Sequence, residues 1–161
     1  MRQRIRSADA NVAAIVLTCF LLGSTGWLLW LYNLADMAPT QTVDVLTMVV
    51  GYLMQAVGVG VFTHLVRDWD GRRVRVAATV AIAVYVACLV PAVLAQSLGP
   101  TLAFGYLANL MCGGFMAYYL MCLSRSVDAA RRGVVFGGAY AASTLVSWAL
   151  AAIAGGVLTR G

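Results

Sequence analysis

Residues 57–90, VGVGVFTHLVRDWDGRRVRVAATVAIAVYVACLV, set two long apolar runs on either side of one crowded polar turn. Residues 64–75 of that turn hold four of the chain's eleven arginines and two of its six aspartates. Such a concentration needs a reason, because the chain as a whole avoids charge. Only 11% of its 161 residues are charged, 62% are hydrophobic, and the mean hydropathy is +0.87. A soluble domain carries about 25% charged residues. The expected class is therefore all-α, a polytopic transmembrane helix bundle, forming a single transmembrane domain over residues 1–161.

Five apolar runs follow one another: residues 11–32, 45–65, 76–94, 101–123 and 133–157. Each holds about 19 to 25 residues, enough to cross about 30 Å of hydrocarbon at 1.5 Å per residue. Backbone amides in lipid must be satisfied within the segment, so runs of this length predict helices. The period-two alternation of a barrel strand is absent from them. The first run follows Arg2, Arg4 and Arg6, but it is too long for a signal-peptide core and no A-x-A site follows, so it reads as a retained first helix.

The arginines then orient the bundle. Three precede the first span, four lie between the second and third, and three (Arg125, Arg131, Arg132) lie between the fourth and fifth. The opposite side has Arg160 alone. The positive-inside rule places the N-terminus in the cytoplasm, with a bacterial cytoplasmic membrane as the expected location. The net charge of +5 is thus a topology signal, and no nucleic-acid partner is expected of this segment.

Several details fit helix-on-helix packing. Gly133 and Gly137 form a GxxxG, while Ala56 with Gly60, Gly113 with Ala117, and Ala151 with Gly155 repeat the small-xxx-small spacing. Pro91 predicts a kink in the third span. Trp27, Trp30 and Tyr32 fit an aromatic belt at the outer end of the first span. Cys19, Cys88, Cys112 and Cys122 all fall within apolar runs, without a CxxC pair or a metal-ligand spacing, so neither disulfide, metal nor other cofactor is expected. One histidine at a membrane edge gives no catalytic triad, no carboxylate pair shares a cleft, and no phosphate loop follows a strand. The chain is not expected to be an enzyme.

The order of residues within the charged turn is more specific than its charge. Asp68 stands three residues before Gly71, which Arg72 and Arg73 follow. Gly71 suits a turn needing positive φ, Asp70 is placed to cap the third helix, and Arg72 or Arg73 is placed to pair with Asp68 at the end of the second. This resembles the loop between helices 2 and 3 of the major facilitator superfamily, Gly-x-Leu-x-Asp-Arg-x-Gly-Arg-Arg/Lys. Asp68, Gly71, Arg72 and Arg73 match it, while His64, Val66 and Trp69 replace the family's Gly, Leu and first Arg. In the fifth span, Ser147, Ala151, Ala152, Gly155 and Gly156 echo the family's glycine-rich antiporter motif, with only the last two identical.

The resemblance implies the N-terminal portion, helices 1 to 5, of a transporter whose halves are built from two three-helix repeats. It assigns Asp68, Gly71, Arg72 and Arg73 to a cytoplasmic gating turn. Charged groups are missing from mid-span, so the candidates to line a solute path are uncharged: Gln55, Asn109, Tyr140 and Ser143, with Thr144, Tyr52 and Tyr118 beside them. His64, one turn before Asp68, reads chiefly as an interfacial polar side chain. The expected partners are the lipid bilayer, a small solute, and the remaining helices of the same protein or a second copy. A different class remains open: a transporter-like membrane sensor joined to a helix-turn-helix regulatory domain. A self-contained five-helix scaffold is the third.

Overall fold

The computed structural model describes the backbone of residues 2–158, which is helical apart from short connections. Arg160, and the surroundings of Arg2, Arg4, Arg6, Ala151, Gly155 and Gly156, lie outside what is described. Five helices follow in order. They are α1 (Arg2–Ala35), α2 (Thr40–Leu65), α3 (Gly71–Leu94), α4 (Leu98–Ser126) and α5 (Ala129–Leu158). Each contains a segment long and apolar enough to span a membrane: Asp9–Ala35, Thr40–Leu65, Gly71–Leu94, Leu98–Ser126 and Ala129–Leu150. The chain is a multi-pass membrane protein by length and composition.

The helices begin earlier than the apolar runs do. α3 starts at Gly71 because Asp70 caps it, with an extended backbone (φ −68°, ψ 159°) and a side chain accepting the Arg73 N–H at 2.7 Å. This satisfies one of the free donors of the first turn and brings three arginines into the helix. The expectation of positive φ at Gly71 does not hold, since the described residues contain none. With Asp70 as the cap, Gly71 is already helical and needs no special conformation. Pro91 lies inside α3, which runs on to Leu94, where the Ala95 N–H closes on the Pro91 carbonyl at 3.0 Å.

α2 departs most from a plain helix. Residues Val45–Gly51 form a π-helical segment between two α-helical parts, Thr40–Asp44 and Tyr52–Leu65. The wider turn puts buried positions four apart, at Val43, Thr47 and Gly51. Thr47 Oγ1 donates to the Val43 carbonyl at 2.8 Å, serving an acceptor inside the altered ladder.

The chain separates into two compact units, residues 1–25 with 119–161, and residues 26–118. In the second unit the buried stripe of α3 (Val74, Ala78, Ala81, Tyr85, Cys88, Ala92) repeats at helical spacing. α4 is half buried over its spanning window, against 28% or less for each other span, so it is the most enclosed helix. Trp30, Leu34, Val43 and Ala92 form a core cluster there. Trp30 is only 1% exposed and its Nε1–H donates to the Thr101 carbonyl at 3.0 Å. It is therefore a core residue and not part of a lipid-facing belt, because its one polar atom is spent inside. Tyr32, by contrast, is 58% exposed. Asn33 ends α3 by donating to the Ala92 and Ala95 carbonyls at 2.9 and 3.2 Å.

Of the small-residue pairs, Gly113 with Ala117 is packed inside the second unit, whereas Ala56 and Gly60 face outward. Gly58, unremarked in the sequence, makes the tight contact on α2. A Cβ there would strike the Leu110 carbonyl, and one on Gly113 would strike the Gln55 carbonyl. Such backbone approach brings two helices together where no hydrophobic force does so. Positions 133 and 137 have open space around them.

Candidate functional site

The second unit brings Gln55 and Asn109 together. Gln55 Nε2 donates to Asn109 Oδ1 at 2.7 Å, and Asn109 Nδ2 donates to the Gly105 carbonyl of its own helix at 2.8 Å. Asn109 is buried and Gln55 half-buried, directly beside the Gly58 and Gly113 contacts. The pair therefore first ties α2 to α4. A double-mutant cycle with Gln55→Leu and Asn109→Leu is expected to give a coupling of about 0.6–1 kcal/mol in thermal unfolding in detergent. Simple additivity would show that the bond contributes nothing.

The first unit holds the other two path candidates. Ser143 is buried and donates back to the Tyr140 carbonyl at 2.8 Å, as Thr144 does at 2.9 Å. Tyr140 is 49% exposed, and its ring lies edge-on to Phe20 and stacked on Phe136. A polar contact between helices also lies here: Ser24 Oγ and Ser147 Oγ, 2.7 Å apart, join α1 to α5. In the sequence, Ser147 belongs only to the glycine-rich echo of the fifth span.

In the charged turn, Asp68, Arg72 and Arg73 are all exposed. The ion pair that forms is Arg73 with Asp70, Nε to Oδ2 3.9 Å, and not a pair with Asp68 as expected. Three residues apart across a helix start, Asp70 and Arg73 meet naturally, while Asp68 lies in the preceding turn. His64 is exposed at the end of α2, as an interfacial side chain would be.

Sequence reading missed two features. Asp9 is buried in α1 and ion-paired with Arg131 at the start of α5. Arg132 Nε and Nη2 donate to the Val127 and Ser124 carbonyls at 3.0 and 2.6 Å, so Arg132 braces the α4–α5 connection. Asp9 is the lone acid beside the N-terminal arginines, which is the signal that was available. The second feature is a pair of buried donors, Trp27 Nε1 and Tyr106 Oη. Neither has a hydrogen-bond partner among the described residues, and both side chains pack on the Trp30 cluster. Tyr52, a path candidate, stacks on Trp27 at 6.2 Å between ring centroids. Buried donors of this kind are expected to find water or a solute group.

Comparison with protein-family models, with curated proteins and with solved structures found no match to this chain.

Proposed function

We propose that this chain is the N-terminal portion of a major-facilitator-like secondary transporter, moving a small solute by alternating access, with its N-terminus in the cytoplasm. The observation that carries the reading is which helices share polar contacts at depth. Ser24 and Ser147 join α1 to α5, and Gln55 and Asn109 join α2 to α4. If α4 and α5 repeat α1 and α2, the pair α1 with α5 becomes the pair α4 with α2. Two three-helix repeats of opposite topology generate that exchange.

The Asp-x-x-Gly-Arg-Arg turn after the second span supports the same reading. Asp68, Gly71, Arg72 and Arg73 act as the gating turn, and the exposure of Asp68 leaves its carboxylate open to a partner elsewhere in the protein. Within the second unit, Gln55 and Asn109 are the first contacts for a solute, with Trp27 and Tyr106 as unspent donors. Asp68→Asn is expected to reduce uptake several-fold in cells screened with labelled amino acids, sugars and amphipathic dyes, at equal protein level. Unchanged uptake overturns the gating role.

A second reading is favoured by the way Gln55, Asn109, Ser143 and Ser147 spend their hydrogen bonds within the bundle. A sensor domain that binds and signals without transport fits such sealed contacts. Binding of a dye without vesicle accumulation would select it.

A further inference from the structure

A cavity of about 830 Å³ opens between α2, α3 and α4 beside the charged turn. Its walls are apolar: Val61 and Leu65 on α2, Val76 and Val80 on α3, Leu110 and Met111 on α4. Gly58 and Gly114 also line it. From Arg72 to Ala81 the α3 wall rises about 13 Å, nearly the depth of one leaflet's hydrocarbon. The volume lies in the range of about 300–1,000 Å³ that encloses one amphipathic molecule.

The mouth has the opposite character. Trp69, Asp70, Arg72 and Arg73 line it. Asp70 is already committed to the Arg73 N–H and guanidinium. Arg72 has no hydrogen bond or ion pair among the described residues. His64, Arg67, Asp68 and Arg75 stand exposed on the same turn, where four arginines face two aspartates. Trp69, more than a third exposed, suits the headgroup level. Positive charge above a deep apolar slot selects a molecule with an anionic head and a hydrocarbon tail. A free anion would leave the slot unfilled.

We propose that this groove binds one anionic phospholipid, its acyl chain lying between α2, α3 and α4 and its phosphate held by Arg72 and Arg73. Basic pockets between spanning helices recognise lipid phosphates by this combination. The site shares Arg72 and Arg73 with the proposed gating turn, but its test reads lipid retention and does not depend on transport.

The full chain, reconstituted in vesicles of equal parts phosphatidylglycerol and phosphatidylcholine and released in mild detergent, is examined by native mass spectrometry. One phosphatidylglycerol is expected to stay bound in preference to phosphatidylcholine. Arg72→Gln with Arg73→Gln should lower its retention about tenfold, while Arg67→Gln with Arg75→Gln, the same charge loss outside the groove lining, should change it little. Ala77→Phe, which keeps both arginines and fills the slot, should lower retention too, at an unchanged melting curve. Equal loss in the two arginine pairs, absence of lipid preference, or indifference to Ala77→Phe overturns the proposal. So does displacement of the lipid by millimolar inorganic phosphate, which would reduce the site to an ion-binding mouth.

Discussion

Gly113→Leu is expected to be the most damaging single change in the chain. A Cβ at this position would strike the Gln55 backbone carbonyl and crowd the Val59 amide, and backbone atoms cannot rotate away as a side-chain tip can. Relief requires α2 and α4 to separate, which also breaks the Gln55–Asn109 bond and opens the Gly58 contact with Leu110. Overpacking costs about 1–3 kcal/mol where the surroundings can adjust. Here the loss of interhelical contacts adds to it, and about 3 kcal/mol is the expected total. Measured by heating in detergent followed by size-exclusion chromatography, the unfolding midpoint should fall sharply. Gly60→Leu and Gly133→Leu have open space and should keep it within the scatter of wild type. A Gly113→Leu protein as stable as wild type would mean that α2 and α4 do not approach as described.

The second large effect is expected at Arg131→Gln. Asp9, with its side chain 9% exposed, would keep its carboxylate in a poorly solvated place without the guanidinium that now faces it. Breaking a buried pair on one side costs about 3–5 kcal/mol, and because Arg131 is itself 47% exposed the expected loss is nearer about 2 kcal/mol. The order of the variants carries more information than the size. Asp9→Asn removes the charge that needed a partner, so it should be milder, and the double variant should resemble Asp9→Asn alone. Unfolding midpoints for the three proteins check this. If Arg131→Gln proved no worse than Asp9→Asn, the pair would be a surface contact of little consequence.

Five spans were legible because hydrocarbon thickness sets a length that few other structures share, and each apolar run reached it. Their ends were less legible. Arg72, Arg73 and Arg75 read as loop by polarity, yet the Asp70 cap brings them into α3. Arg131 and Arg132 likewise lie inside the helix, since α5 begins at Ala129. The π-helical segment of α2 left no mark that periodicity could detect, since positions four apart fit an α-helix nearly as well over two turns. Trp30 was misread because aromatic side chains near a span's end suit both lipid interface and core, and only the Thr101 carbonyl decides between them. Of the site candidates, spacing flagged Gln55 and Asn109 as polar groups at depth. That they bond to each other depends on the relative rotation of α2 and α4, which no single helix encodes. Asp9 with Arg131 is the same kind of case, a contact between residues 122 positions apart.

Alternating access is the claim on which the functional account rests, and it makes position 55 the place to measure. Gln55→Cys, in a chain whose four native cysteines are replaced, would be treated with a membrane-impermeant thiol reagent in right-side-out and in inverted vesicles. The account predicts labelling from both faces, with Asp68→Asn shifting the ratio between them. Labelling from a single face, at a ratio that Asp68→Asn leaves untouched, would contradict it and leave a fixed bundle in place of a transporter.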